Sequence, residues 1–188
     1  MNAIEITPGL DVVLLVFRCS LGAVLFLHGY NHLWGPGGLE GTARWFGSLG
    51  FRPARLHAFL SGAVELAIAV GFVLGLLTPL ACAALVGTML AAGWTDHRPN
   101  GFFMFRNGYE YVLVFALTAV ALAAIGPGTL SVDSALGIVD YGDRSSAGLM
   151  GVAGALVAAG LGVGSGAALL AVGWRPVAKA EPVDAGAP

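Results

Sequence analysis

Three charged side chains lie within long apolar stretches of the sequence, where charges are uncommon. They are Arg18, Glu65 and Glu110. An ionised side chain near the centre of a lipid bilayer costs several kcal/mol unless it is paired or hydrated, so such residues are rare and are by default functional-site candidates. We therefore take all three as candidate members of a functional site, together with histidines at the ends of the same stretches.

The first two charges are placed to meet across neighbouring helices. Arg18 lies near the middle of the first apolar stretch, and Glu65 lies near the middle of the second. In antiparallel helices, which rise about 1.5 Å per residue, their side chains differ in depth by only about one turn. We predict that Arg18 and Glu65 form a structural ion pair, which offsets much of the cost of burying each charge. The alternative is that Glu65 is a tuned carboxylate whose protonation is coupled to a ligand or a proton path.

Histidines and a further carboxylate add acid–base chemistry at one end of these stretches. His28 and His32 are one helical turn apart, and His97 and Glu110 flank a later connection on the same side of the membrane. A histidine beside a carboxylate can donate to a quinone carbonyl and exchange protons with it. The candidate catalytic residues are therefore Glu65, His28, His97 and Glu110, and the candidate cofactor is a quinone. The alternative is that these side chains hydrogen-bond to one another and close the mouth of the bundle. Histidines four residues apart can also chelate a metal, but His32 adjoins a helix-ending Gly-Pro-Gly segment, so we predict no metal site.

An aromatic run follows His97 in the sequence. Phe102, Phe103 and Phe105 surround Met104 between polar residues. One interpretation is an interfacial anchor or the early part of the next helix, since aromatic side chains favour the membrane interface. The other is a hydrophobic wall for the isoprenoid part of a ligand, so the three phenylalanines are our candidate quinone-binding residues.

The composition excludes several classes of protein. Of 188 residues, 57% are hydrophobic and 11% are charged, whereas a soluble domain carries about 25% charged residues. We therefore predict an integral membrane protein surrounded by a lipid bilayer. The net charge of −2 and the lack of a basic stripe exclude nucleic acid as a partner. The sequence has no flavin, haem or iron–sulfur motif, so any electron transfer would be the work of other membrane or redox subunits.

The apolar stretches predict an all-α, polytopic membrane four-helix bundle with a fifth, C-terminal transmembrane helix, since a spanning helix needs about 20 apolar residues. The helices of a domain at residues 1–137 are predicted at about 10–31, 56–77, 80–94 and 109–125, with an interfacial helix at about 39–49. A loop at 138–146 leads to the additional helix at 147–174, whose Gly and Ala residues favour close packing on a neighbour, and a disordered tail at 175–188 ends the chain.

Basic residues in the connections predict the orientation. The first and third connections and the tail share most of them: Arg44, Arg52, Arg55, Arg98, Arg106, Arg175 and Lys179. The opposite side holds only Arg144. Since cytoplasmic loops carry the excess of Lys and Arg, we predict a multi-pass protein of the plasma membrane with its N-terminus outside and its C-terminus in the cytoplasm.

Several short motifs occur in order along the predicted domain. They are Arg18 with Leu21-Gly22 and His28-Gly29-Tyr30-Asn31-His32-Leu33-Trp34-Gly35, then Glu65-Leu66 with Leu74-Gly75-Leu76-Leu77-Thr78-Pro79, then His97 with Asn100-Gly101-Phe102-Phe103 and Gly108-Tyr109-Glu110, and finally Gly126-Pro127-Gly128-Thr129-Leu130-Ser131-Val132-Asp133. Together these motifs resemble the DoxX family of small bacterial membrane proteins. His32 stands where the family usually has lysine, and the fifth apolar stretch lies beyond its usual four-helix unit.

The resemblance implies a four-helix bundle in the cytoplasmic membrane and work linked to quinones or to thiol and oxidative stress. The first functional hypothesis is an integral membrane subunit associated with such a redox complex, which, if it is an enzyme, acts as an oxidoreductase subunit and is not self-sufficient. The second hypothesis is a non-catalytic membrane anchor or assembly factor for a partner complex. The third is a small proton-coupled transporter, which the lack of an evident inverted repeat weakens.

Overall fold

The computed structural model describes residues 7–139, 141 and 150–177, and helices dominate this part of the chain. Their bounds are α1 Pro8–Trp34, α2 Gly38–Leu49, α3 Ala54–Leu74, α4 Thr78–Ala92, α5 Glu110–Ile125, α6 Val132–Ala135 and α7 Gly151–Gly173. A π-helical turn, Gly93–His97, and a 3-10 turn, Arg98–Asn100, continue α4. Most of the predicted loop at 138–146 and of the predicted tail at 175–188 lies outside the described residues.

Four helical segments are long and apolar enough to cross a membrane. They are Pro8–Trp34, Ala54–Leu74, Thr78–Asn100 and Gly151–Gly173. The remaining long helix, α5, is equally apolar but has 16 residues, which span about 24 Å. The predicted all-α, polytopic membrane fold is confirmed. The third predicted helix runs further than expected, because the π-helical and 3-10 turns carry it from residue 92 to Asn100.

Glycines set the register between α1 and α3, which pack as an antiparallel pair. A Cβ built on Gly29 would lie 2.7 Å from the Gly62 carbonyl oxygen, and one on Gly22 would lie 3.0 Å from that of Ala69. Only glycine permits such a close approach of two helix backbones. This register brings Arg18 level with the end of α3, near Gly75, and it brings Glu65 level with the histidine end of α1.

Small residues likewise hold α7 against α4. Gly154, Ala158, Gly162 and Gly166 recur every four residues along α7 and are buried. A Cβ built on Gly162 would lie 2.5 Å from the Cβ of Val86. The predicted close packing of the glycine-rich stretch is therefore confirmed. Since higher residue numbers in α7 contact higher numbers in α4, the two helices run parallel.

The end of α7 is fastened to the turn between α2 and α3. The indole Nε1 of Trp174 donates to the Leu49 carbonyl oxygen at 2.7 Å. The Arg175 amide donates to the Gly50 carbonyl oxygen at 2.9 Å, and Phe51 forms an isolated antiparallel bridge with Trp174. We call these contacts the α7 clasp. They hold α7 beside α3 at this end of the bundle, where the candidate site lies.

Candidate functional site

Arg18 does not pair with Glu65, so the predicted ion pair is wrong. The guanidinium is fully buried and donates from Nη1 to the Phe72 carbonyl oxygen at 2.9 Å and from Nη2 to that of Leu130 at 2.6 Å. Phe72 is seven residues beyond Glu65, which is about 10 Å along the helix. The prediction underestimated this offset, because glycine contacts and not helix lengths set the register.

Two further acids join Arg18 at its end of the bundle. The carboxylate of Asp133 accepts hydrogen bonds from the amides of Leu77 and Thr78 at 2.7 and 2.8 Å, and so caps the start of α4. Asp11 accepts from the Thr129 amide at 2.6 Å. We call Asp11, Arg18, Asp133 and these partners the loop-anchoring network, because they fix the segment after α5 to α1 and to the α3–α4 turn.

The network contains residues that sequence reasoning did not assign to any site. Leu77 has a φ of 49°, an uncommon left-handed conformation for a bulky residue, and the hydrogen bond that its amide donates to the Asp133 carboxylate stabilises it. Tyr141 accepts a hydrogen bond from the Gly128 amide at 2.7 Å, and burial raises the pKa of its hydroxyl above the ordinary value. An early signal did exist, since Asp133 closes the last of the motifs in the resemblance and Leu77 stands in an earlier one.

At the other end the helices enclose a cavity of about 610 Å³. Its lining includes the four histidines of the chain, His28, His32, His57 and His97, together with Glu65. We call it the histidine cavity. Three of the predicted catalytic candidates, Glu65, His28 and His97, therefore lie around one space. His57 was not predicted, although its place at the start of an apolar helix was a signal of the same kind.

Glu65 and His32 form the first polar pair of the cavity. Glu65 is 5% exposed, and its Oε2 lies 3.9 Å from His32 Nε2, beyond hydrogen-bond distance. Within the described residues, Glu65 Oε2 and His32 Nδ1 are buried without a hydrogen-bond partner. A buried polar atom without a partner costs about 1–3 kcal/mol. These atoms are thus available to the polar group of a ligand.

His97 and Tyr111 form the second polar pair. His97 Nδ1 lies 2.9 Å from the Asn107 carbonyl oxygen, so Nδ1 must be the donor. The other nitrogen, Nε2, lies 2.6 Å from the Tyr111 hydroxyl, which donates to it when the ring is neutral. Both side chains line the cavity. The sequence analysis did not predict Tyr111, because a tyrosine in an apolar helix is ordinary, whereas its neighbour Glu110 is a charged residue.

Glu110 and the phenylalanine run lie outside the cavity lining. Glu110 Oε2 accepts a hydrogen bond from the Met104 amide at 3.0 Å and thereby holds the loop that precedes α5. Phe102, Phe103 and Phe105 are exposed, and the rings of the last two stack with centroids 5.3 Å apart. The structure therefore does not bring the predicted quinone wall to the cavity, whose aromatic lining comes mainly from Trp45, Phe46, Phe51 and Tyr111.

Helix α7 supplies part of the cavity wall. Gly166 and Leu169 on α7 face Leu60 and Val64 on α3 across the space. The last three of these residues are between 37 and 41% exposed, so the cavity reaches the apolar outer surface between the two helices. Among the described residues, no group of three or more His, Cys, Asp or Glu side chains is placed to hold a metal ion.

Residues 13–98 match the family model described as DoxX, a segment that runs from α1 through the π-helical turn and includes His28, Glu65 and His97. No curated protein and no solved structure matches the chain. The match over residues 13–98, a little under half of the chain, supports membership of the DoxX family for this small membrane protein.

Proposed function

We propose that the chain is an integral membrane subunit of a redox complex and that it binds a quinone in the histidine cavity. The observation that carries this proposal is a single space of about 610 Å³ in which four histidines and a buried carboxylic acid converge. Small-molecule sites commonly have volumes of about 300–1,000 Å³ and combine apolar walls with a few placed polar groups. A quinone head, a flat apolar ring with two carbonyl groups, suits such a lining.

The two polar pairs can serve the two carbonyl oxygens of the ring. Reduction of a quinone to a quinol takes up two electrons and two protons, one proton for each oxygen. The carboxylic acid of Glu65 lines the cavity wall and can donate one proton. When His97 is protonated on both nitrogens, its Nε2–H donates to the Tyr111 hydroxyl oxygen, which frees the Tyr111 O–H to donate to the second carbonyl oxygen while His97 replaces its proton. The electrons come from the redox group of a partner subunit. This chain then contributes binding, orientation and proton supply.

The opening of the cavity supports a ligand that travels in the bilayer. Leu60 and Val64 on α3 and Leu169 on α7 line the cavity and are also exposed on the outer surface of the bundle. A lipophilic carrier can enter between these helices without crossing water, since its route is apolar throughout.

We further propose that the histidine cavity faces the cytoplasmic leaflet of the plasma membrane. The bulk of the arginines lie in connections at the cavity end: Arg44, Arg52, Arg55, Arg98, Arg106 and Arg175. The positive-inside rule assigns that end to the cytoplasm and the start of α1 to the outside. A cysteine introduced at Thr7 should react with a membrane-impermeant thiol reagent in intact cells, and its protection would reverse the orientation.

Quinone binding is tested on the purified protein in lipid nanodiscs. We expect decylubiquinone or menadione to quench tryptophan fluorescence, since Trp45 lines the cavity. Glu65→Leu should weaken binding at least tenfold, whereas Phe105→Ala, a change at an exposed ring outside the cavity, should leave the affinity unchanged. Equal affinities of the wild type and Glu65→Leu, or no saturable quenching at all, would contradict the proposal and favour a non-catalytic anchor.

A further inference from the structure

A second hollow lies on the outer surface of the bundle, apart from the mouth of the histidine cavity. It has a volume of about 350 Å³ and runs along α4 and α5 with Val163 of α7 at its edge. We call it the α4–α5 groove. Its walls are apolar over most of their length, with Leu90, Leu113 and Ala116 among them, and Trp94, Arg98 and Tyr109 lie at one end.

The π-helical turn separates this groove from the cavity. Along Gly93–His97 the side chains of Thr95 and His97 line the histidine cavity, whereas Trp94 lines the groove. Arg98, which follows the turn, lines the groove as well. The two neighbouring residues His97 and Arg98 therefore face different spaces, since His97 lines the cavity and Arg98 lines the groove.

Arg98 places a positive charge over an apolar surface. Its guanidinium carbon lies 4.2 Å from the centre of the Trp94 ring, which orients the side chain by a cation–π contact. No ion pair to Arg98 occurs within the described part of the chain. The nearest acid in sequence, Asp96, is engaged on the cavity side, with its carboxylate 3.7 Å from His97. Arg98 therefore keeps its hydrogen-bond donors for an anionic partner.

We propose that the α4–α5 groove binds an anionic phospholipid, with the phosphate on Arg98 and an acyl chain along the groove. Charge complementarity carries the choice of a lipid with a net negative charge, since basic pockets between transmembrane helices are typical sites for anionic headgroups. Tyr109 adds a hydroxyl that makes no hydrogen bond among those described and that lies at the same end of the groove. The apolar walls below suit a hydrocarbon chain and not a free phosphate ion.

The bound lipid would lie against the wall of the histidine cavity. Met89 and Val112 line both the groove and the cavity, so these two side chains form the partition between them. An acyl chain in the groove packs against this partition from the lipid side. The proposal does not depend on quinone binding, because the groove and its cation exist whatever the cavity holds.

Native mass spectrometry of the full chain, titrated with phosphatidylglycerol or phosphatidylcholine, tests the site. We expect phosphatidylglycerol to bind about fivefold more tightly, and Arg98→Gln to abolish that preference, because an arginine near a membrane surface contributes about 1 kcal/mol towards an anionic lipid. Arg106→Gln is the matched control, since Arg106 is an exposed arginine at the same end that does not line the groove. A preference that survives Arg98→Gln, or that falls equally in both variants, would overturn the proposal.

A second variant tests the acyl chain. Ala116→Trp fills the groove, and we expect it to weaken both lipids at least threefold, whereas glycerol 3-phosphate, which has the phosphate without the chains, should not displace phosphatidylglycerol at millimolar concentration. Unchanged lipid affinity in a folded Ala116→Trp protein, or displacement by glycerol 3-phosphate, would contradict a lipid site. If Ala116→Trp fails to fold, Leu113→Trp, at an exposed position of the same wall, replaces it.

Discussion

The loop-anchoring network and the histidine cavity lie at opposite ends of the same helices, and both contain buried charged or ionisable groups. In the network, Arg18 donates to three carbonyl oxygens, and Asp133 accepts from two amides. In the cavity, Glu65 Oε2 and His32 Nδ1 lack partners among the described residues. Satisfied groups stabilise a fold, whereas unsatisfied ones cost free energy and persist where a ligand uses them. The comparison separates structural charges from candidate functional ones.

The largest effect is expected from the loss of the Arg18 charge. Arg18→Leu removes three hydrogen bonds and leaves the carbonyl oxygens of Phe72 and Leu130 buried without their donor. We expect a loss of about 2–6 kcal/mol of unfolding free energy, since each of these two buried acceptors left without a donor costs about 1–3 kcal/mol. Thermal unfolding in detergent, followed by tryptophan fluorescence, measures it.

Arg18→Leu, combined with Glu65→Leu, also tests whether Arg18 and Glu65 interact. If they did, Glu65 would be a structural charge like Arg18. The effects of Arg18→Leu and Glu65→Leu should then compensate in the double variant. Because the two side chains lie about 10 Å apart along the bundle, we expect additive effects and no rescue. If the double variant regained the melting temperature of the wild type, Arg18 and Glu65 would form an ion pair after all.

A smaller loss is expected from the cap of α4. Asp133→Ala deletes both acceptors for the amides of Leu77 and Thr78, and we expect a cost of about 2–3 kcal/mol. Asp133→Asn keeps one acceptor oxygen and should cost less than Asp133→Ala. The ratio of folded to aggregated protein in size-exclusion chromatography checks the order. Equal stability of all three proteins would show that the network does not hold the loop.

A substitution in α7 tests how far the stability of the bundle depends on the packing of α7 against α4. Gly162→Leu inserts a side chain where a Cβ would already lie 2.5 Å from that of Val86, and we expect it to cost about 1–3 kcal/mol and to weaken quinone binding. Gly160→Leu is the control, since a Cβ there has no heavy atom within 4 Å. Equal melting temperatures of the two variants would contradict the packing of α7 on α4.

The smallest effect on stability, and the sharpest test of the comparison, is expected at Glu65. Glu65→Gln keeps the shape of the side chain and removes an acid whose Oε2 has no hydrogen-bond partner within the described residues and lies 3.9 Å from His32 Nε2, so the melting temperature should be unchanged or slightly raised. Quinone binding should be largely kept, because the amide still donates a hydrogen bond, whereas quinone reduction by the complex should slow, because a neutral amide cannot supply a proton. A Glu65→Gln protein as unstable as Arg18→Leu would place Glu65 with the structural charges.

The apolar helices could be predicted because composition and length alone determine them, and their order along the chain follows. Contacts distant in sequence could not be predicted. Asp133 caps amides 55 and 56 residues before it, and Arg18 reaches the carbonyl oxygen of Leu130, 112 residues away. Hydropathy does not encode such pairings, and the carbonyl oxygen of Phe72 that Arg18 reaches lies seven residues, nearly two helical turns, beyond Glu65.

The candidate site was predicted only in part, because residue types mark polar groups in apolar stretches but do not specify which of them meet. Glu65, His28 and His97 stood out as polar residues in apolar stretches, and they line one cavity. Glu110 stood out equally but bonds to a nearby loop amide. Tyr111 gave no signal, because a tyrosine in an apolar helix is ordinary, and its role depends on the position of the His97 ring. The outward place of the three phenylalanines depends on a loop conformation that residue types alone do not specify.

The α7 clasp has a consequence for how the protein is made. Because α7 is the last described helix, the ribosome releases it after every other wall of the cavity has entered the membrane, and chains generally fold from the N-terminus during synthesis. Until Trp174 reaches the Leu49 carbonyl oxygen, Glu65 and the histidines face an open flank. The cavity is therefore closed on this side only after α7 has been inserted, later than the helices that form its other walls.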